Sequence, residues 1–183
     1  MDQGLIPRRY AKALYMVAAE NHADSLMYSR LNTLAEAFAA EPQLGKTMAN
    51  PFISAADKSA LLFTAAHASA ADAPELVRFF ALLEENGRMA MVRDIALAYL
   101  GIYRREHRIF KVDVVSAAPM QPRTRERLES LIAAQIPDGS MEYSFSVDPG
   151  LLGGFTVSID NQRLDASVKN ELKQLRLKLL SNK

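Results

Sequence analysis

Apolar residues recur every three or four positions through the first hundred residues, and every second position in parts of the remainder. Ile6, Tyr10, Ala13, Leu14 and Val17 share one helical face, and Pro7 suits a first helical turn, where its missing N–H costs nothing. Leu26, Leu31, Leu34 and Phe38 give the stripe of a second helix, over about 23–41. Pro42 and the Asn50-Pro51 pair punctuate the chain, since a residue before proline avoids helical backbone. A short helix is predicted between them, near 43–49. Ser54 is an N-cap candidate, with Asp57 in place of the usual Glu of a capping box, and Leu61, Leu62 and Phe63 follow. Asp72, Pro74 and Glu75 open a fifth helix that ends at Asn86-Gly87. Asn-Gly is also a hairpin signal, but the spacing on either side is helical, not alternating. A sixth helix covers about 89–106, with Val92, Ile95, Ala96, Tyr99 and Tyr103 on one face.

Near His107 the period changes from 3.6 to 2. Phe110, Val112, Val114 and Ser116 alternate with Lys111, Asp113 and Val115, as in a strand. A helix over about 124–135 should turn Leu128, Leu131 and Ile132 inward. Tyr143, Phe145 and Val147 form a second strand, and Phe155, Val157 and Ile159 a third. Asp148-Pro149-Gly150 is a turn, and Gly153-Gly154 breaks the backbone again, as a bulge or tight turn entering the strand. After a turn at Asn161 and Gln162, a last helix over about 166–180 carries Val168, Leu172, Leu175 and Leu179 on one narrow seam. Lys169, Lys173 and Arg176 lie beside the seam, which is expected to pack on the small sheet; Leu177 and Leu180 lie off it. The fold class is therefore α+β: an N-terminal six-helix bundle over 1–105, then a small α/β C-terminal domain over 106–183.

Composition narrows the function. With 49% hydrophobic and 23% charged residues the chain can build a packed core. It has no cysteine, so disulfides and thiolate chemistry drop out. A net charge of +1 is small for a nucleic-acid binder, and Arg123, Arg125 and Arg127 spread around their helix without interleaved aromatics. No stretch reaches the roughly 18 apolar residues of a membrane span. The first nine residues lack a signal-peptide core, so the chain is expected to stay where it is made.

No catalytic, cofactor-binding or metal-binding set is expected. His22, His67 and His107 are far apart and read as surface or helix-end residues. Neither phosphate-cradling glycine motif nor a G-x-S-x-G elbow is present. Glu84 and Glu85 are adjacent on a helix and point about 100° apart, so they cannot share a proton. What remains is apolar surface. Leu76, Val77, Phe79, Phe80, Ala81, Leu82 and Leu83 nearly encircle the fifth helix. Such a helix is either central in its bundle or covered on a second side by something else.

Several segments, in this order and spacing, resemble one family. They are Arg9-Tyr10-Ala11-Lys12-Ala13-Leu14, then Leu82-Leu83-Glu84-Glu85-Asn86-Gly87-Arg88, then Asp148-Pro149-Gly150-Leu151-Leu152-Gly153-Gly154-Phe155. Val157, Ile159, Asp160 and Leu164-Asp165-Ala166-Ser167-Val168-Lys169 complete the set. Over essentially its whole length the chain is similar to the delta subunits of F-type ATP synthase, called the oligomycin-sensitivity-conferring protein in mitochondria. The resemblance implies a stator protein without catalytic activity. Its six-helix N-terminal domain would cap the catalytic head and hold the N-terminal helix of an alpha subunit. Its C-terminal domain would bind the b subunits of the peripheral stalk. It also implies a groove between the first and fifth helices, with Tyr10, Ala13, Leu14 and Val17 on one wall and Phe79, Phe80 and Leu83 on the other. Leu151, Leu152, Gly153, Gly154 and Phe155 would belong to the stalk-binding part. The location implied is the cytoplasmic face of a bacterial inner membrane, with membrane association only through the complex.

The chain departs from the pattern in two places. Met27 and Tyr28 occupy a stretch where some relatives carry tryptophan, and Leu152 stands where a β-branched residue is more common. Two rival readings start from the same residues. An RNA-binding helical-bundle module would show strongly salt-dependent RNA binding. A small hydrolase would lose activity on changing Asp148, although no base or nucleophile lies near it in sequence.

Overall fold

A computed structural model describes residues 4–69, 73–136, 139–160 and 162–181. The chain divides into two units, Met1–Arg104 and Arg105–Lys183. Unit 1 is helical: α1 (Leu5–Glu20), α2 (Asp24–Ala40), α3 (Pro42–Ala49), α4 (Ala55–Ala65), α5 (Pro74–Glu85) and α6 (Val92–Glu106), the last preceded by a 3-10 turn at Met89–Met91.

Small residues decide how α1 packs. Its buried positions are Pro7, Ala11, Leu14 and Ala18, which let neighbouring helices approach closely. Tyr10, Ala13 and Val17, members of the apolar stripe read from the sequence, lie on the adjoining and more exposed face. On α2, Met27, Leu31, Leu34 and Phe38 are buried, while Leu26, assigned to the stripe, is about half exposed. On α4 only Leu62 is buried among the three consecutive apolar residues there; Leu61 is exposed. All five residues expected on the α6 face are buried. Tyr99 of that helix is fully buried, and its hydroxyl donates to the Asp24 carbonyl at 3.2 Å. Burial first, then the Asp24 charge, pushes its ionisation above the ordinary value of 10.0.

Helix ends follow the sequence signals. The Ser54 hydroxyl accepts from the Asp57 N–H at 3.1 Å, and also donates to the Asp57 carboxylate at 2.6 Å. After α5, Gly87 has φ +64; its N–H donates to the Glu84 carbonyl and that of Arg88 to Leu83, the paired bonds of a Schellman stop. His22 and His67 close α1 and α4 in the same way, with φ of 55 and 48. The Asp72 cap falls outside the described residues.

Unit 2 has a four-stranded sheet in the order β2-β1-β3-β4: β1 (Ile109–Ser116), β2 (Ser140–Val147), β3 (Gly154–Ile159) and β4 (Gln162–Ser167). β1 and β2 are parallel, which requires a crossover, and α7 (Pro122–Gln135) supplies it. The remaining pairs are antiparallel. The register places Val112, Val114, Tyr143, Phe145 and Val157 on one face, where Leu128 and Ile132 of α7 pack. Leu131, expected inward, is exposed.

β4 is a correction to the sequence reading, which passed from a turn directly into the last helix. Its residues are exposed except Ser167, so it carries no core pattern; backbone pairing to β3 creates it. The last helix, α8 (Val168–Ser181), begins where β4 ends.

Candidate functional site

On α5, Leu76, Phe80 and Leu83 form the core stripe, and Glu75, Arg78, Phe79 and Leu82 form its neighbour at spacing i, i+3, i+4, i+7. On α1, Tyr10, Ala13, Leu14 and Val17 have the same spacing. These two stripes line one groove of about 320 Å³. Leu14 and Phe79 are buried and form its floor, while Val17 and Leu82 are each 44% exposed at its rims.

The wall on α5 therefore differs from the one the resemblance implied. Phe80, 1% exposed, and Leu83, fully buried, turn into the bundle, because they lie roughly 100° around the helix from the groove stripe. Phe80 packs edge-on against Phe63 at 5.2 Å. Leu82, Arg78 and Glu75 take their place at the groove. The i, i+3, i+4, i+7 stripe was the signal that could have found them.

Arg88, just past the Schellman stop, donates to the Tyr10 hydroxyl and sets its guanidinium carbon 5.2 Å from the Tyr10 ring centroid. The contact fixes a ring that lines the groove, so Arg88 is a positioning residue. On α2, Met27 is buried in the core and Tyr28 stacks on Tyr103 at 4.2 Å. Neither lines the groove.

In unit 2 the loop 148–155 is held from within. The Asp148 carboxylate accepts from the Gly150 N–H at 2.8 Å, and a 3-10 turn covers Pro149–Leu151. Leu151 is buried and Phe155 packs on the sheet core. Leu152, left-handed at φ +65, is 69% exposed. Gly154 has φ +73, and a Cβ there would lie 2.1 Å from the Ala166 carbonyl oxygen. A Cβ on Gly153 would lie 2.8 Å from Val168 Cγ2, while the Gly153 carbonyl accepts from the Val168 N–H at 3.1 Å. The glycine pair thus seats the start of α8 against β3.

The Leu164-to-Lys169 segment does the same from the other side. The Ser167 hydroxyl accepts from the Asn170 N–H at 3.2 Å, as an N-cap does, and donates to Asp165 at 2.6 Å. The Ser167 N–H donates to the same carboxylate oxygen at 3.1 Å. These bonds, the hydroxyl's first, hold the Asp165 carboxyl below its ordinary range.

Past this anchored start no described side chain of α8 is buried. Leu172, Leu175 and Leu179 are 53%, 55% and 68% exposed, so the seam does not pack on the unit's own sheet as expected. Among the described residues no cluster of three or more His, Cys, Asp or Glu is placed to hold a metal ion, and no helix is long and apolar enough to cross a membrane. The groove, Leu152 of the loop and the α8 seam all leave apolar side chains at the surface.

The family profile described as ATP synthase delta (OSCP) subunit matches residues 6–179. ATP synthase subunit delta of Bacteroides thetaiotaomicron is 35% identical over 96% of this chain and 94% of that protein. The protein of the same name in Parabacteroides distasonis is 32% identical over the full length of both. In fold, the chain is similar to one in a cryo-EM structure of the Toxoplasma gondii mitochondrial ATP synthase hexamer. The TM-score is 0.71 at 22% identity, over 95% of this chain and 97% of that one.

Proposed function

The chain belongs to the ATP synthase delta (OSCP) family, and on that premise we propose that it is a non-catalytic stator subunit of an F-type ATP synthase. Unit 1 holds the N-terminal helix of an alpha subunit at the top of the catalytic head. Unit 2 holds the b subunits of the peripheral stalk. The complex carries the chain on the cytoplasmic face of a bacterial inner membrane. The observation that carries this reading is the α1–α5 groove, whose floor is Leu14 and Phe79 and whose rims are Val17 and Leu82.

A stator must resist torque without letting go, and does so with contact area. An amphipathic helix laid in the groove would cover the exposed parts of Val17, Leu82 and Ala13 and press on the Tyr10 ring. Each Å² of apolar surface withdrawn from water stabilises the complex by about 25 cal/mol. Such a helix also meets Glu75 and Arg78, a carboxylate and a guanidinium that select its register more than its affinity.

The test is calorimetry of the full chain with a synthetic peptide of the alpha-subunit N-terminus. Val17→Asp places a charge at a half-exposed rim position, so unit 1 should keep its fold, and binding should weaken at least tenfold. Equal affinity for both chains would place the alpha helix elsewhere.

A further inference from the structure

Asn86 is exposed at the C-terminal end of α5, directly before Gly87, and this is the one Asn-Gly pair in the sequence. The side-chain amide of an asparagine can be attacked by the backbone nitrogen of the residue that follows. A bond forms from the Gly87 nitrogen to Asn86 Cγ, and the bond from Cγ to Nδ2 breaks. The proton of the Gly87 amide passes through solvent to the departing nitrogen, which leaves as ammonia. Water then opens the five-membered imide at one of its two carbonyls, giving aspartate or isoaspartate. Glycine favours the attack because no side chain shields its nitrogen. The fold, however, holds the reactants apart. At ψ 0 the Gly87 nitrogen eclipses the Asn86 nitrogen, whereas ring closure needs it beside Cβ. The Gly87 N–H donates to the Glu84 carbonyl at 2.9 Å, so its proton is engaged. Asn86 Nδ2 donates to the Leu82 carbonyl at 2.7 Å, which turns the side chain back along α5. Reaction therefore requires the last turn of α5 to open, and helix ends are where opening is least costly.

The same turn shapes the groove. Leu82 lines it, and Arg88, held by its N–H bond to the Leu83 carbonyl at 2.7 Å, donates to the Tyr10 hydroxyl. An aspartate at position 86 has no donor for the Leu82 carbonyl. It also adds a carboxylate beside Glu84 and Glu85, at the negative end of the helix dipole. An isoaspartate lengthens the main chain by one methylene between Leu83 and Arg88, so the paired bonds of the stop can no longer close together. We propose that Asn86 is a deamidation site gated by the stop of α5, and that its conversion withdraws Arg88 from the Tyr10 ring and weakens the groove. By linkage, a helix bound in the groove holds the stop closed and slows the conversion. The effect on binding rests on the stator reading, in which that helix belongs to an alpha subunit; the reaction itself does not.

The experiment incubates the full chain at neutral pH, alone and with a saturating synthetic peptide of the alpha-subunit N-terminus, beside a free peptide of residues 79–88. Trypsin releases 79–88 from the chain, and Asn86 is its single side-chain amide, so the mass gained when NH2 becomes OH locates the reaction. The folded chain should convert at least about tenfold more slowly than the free peptide, and at least about twofold more slowly again with the groove filled. Converted chain, separated by its added negative charge, should bind the alpha peptide about fivefold more weakly in calorimetry. Asn86→Gln would have to close a six-membered ring; incubated equally, it should show neither the mass gain nor the loss of affinity. Conversion as fast in the folded chain as in the free peptide overturns the gate. No conversion in the chain after about a hundredfold the time that the free peptide needs overturns the site. Equal affinity of converted and native chains overturns the link to the groove. Absence of alpha-peptide binding to the native chain overturns the stator reading, and the rates of chain and free peptide still decide the site.

Discussion

One substitution, made at three glycines, should give three different outcomes. Gly101→Ala lies inside α6 with open space around the added Cβ. It should stabilise unit 1 by about 0.5–1 kcal/mol, because alanine loses less backbone freedom on entering a helix. Gly87→Ala also has open space, but at φ +64, so it should cost about 1–2 kcal/mol. Gly154→Ala meets the same left-handed penalty at φ +73 and a steric one besides. Its Cβ would sit 2.1 Å from the Ala166 carbonyl oxygen, and relief requires β3 and β4 to part by more than 1 Å. That movement strains the Ala117 N–H bond to the Gly154 carbonyl, 3.1 Å, and the Val168 N–H bond to the Gly153 carbonyl. At about 1 kcal/mol per bond, the total cost should be about 3–5 kcal/mol. Hydrogen exchange read by mass spectrometry on the full chain separates the effects, since α6 peptides report unit 1 and β1 and β3 peptides report unit 2. If Gly154→Ala lowers protection in unit 2 no more than Gly87→Ala lowers it in unit 1, the close-approach argument is wrong.

Leu14→Asp should unfold unit 1 as well as block the groove, because Leu14 also belongs to the core; a Tm drop alongside lost peptide binding in calorimetry separates it from Val17→Asp. Arg88→Ala should release the Tyr10 ring and weaken alpha-peptide binding about fivefold while leaving the melting profile nearly unchanged. Ser167→Ala removes the α8 cap and should cost about 1 kcal/mol, read as faster amide exchange over residues 168–171. Because Tyr99 ionises above the ordinary 10.0 when folded, its contribution is complete below pH 10 and is lost as pH rises beyond it. Tyr99→Phe should therefore cost about 1 kcal/mol at pH 7 and make unit 1 less sensitive to alkaline denaturation.

The six helices of unit 1 were legible because each carries a 3.6-residue period and a proline, cap or glycine at its ends. On α6 the apolar stripe and the buried face coincide residue for residue. The α1 stripe misled because periodicity ranks side chains by hydrophobicity, whereas the bundle selected for size: Ala11 and Ala18 went inside, and Val17 stayed at the groove. β4 was invisible for a different reason. Its order comes from backbone bonds to β3, and no side-chain pattern records them. Three of the four residues assigned to the α1 wall have small or half-exposed side chains at the groove. On the α5 wall implied by the resemblance, Phe79 lines the groove, whereas Phe80 and Leu83 are buried away from it.

That confusion on α5 has a physical origin and a remedy. A helix buried on one side and docked on another must be apolar over more than half its circumference, so hydrophobicity alone cannot tell its two faces apart. Charge can. The core stripe, Leu76, Phe80 and Leu83, contains no polar residue, because an unpaired charge inside the bundle would be costly. The groove stripe carries Glu75 and Arg78 among its apolar members, which a surface that solvent still reaches tolerates. Burial, not charge, distinguishes α7 from α8, since Arg125 borders the α7 core line and sets its guanidinium carbon 4.0 Å from the Phe145 ring centroid. In α7 the inward residues Leu128 and Ile132 lie four apart, and a third leucine off that line is exposed. In α8 the seam is continuous but cations border it, and the whole of it stays in solvent. On α5 and α8 alike, the apolar stripe edged by charge is the one that the unit's own core leaves at least partly open to solvent.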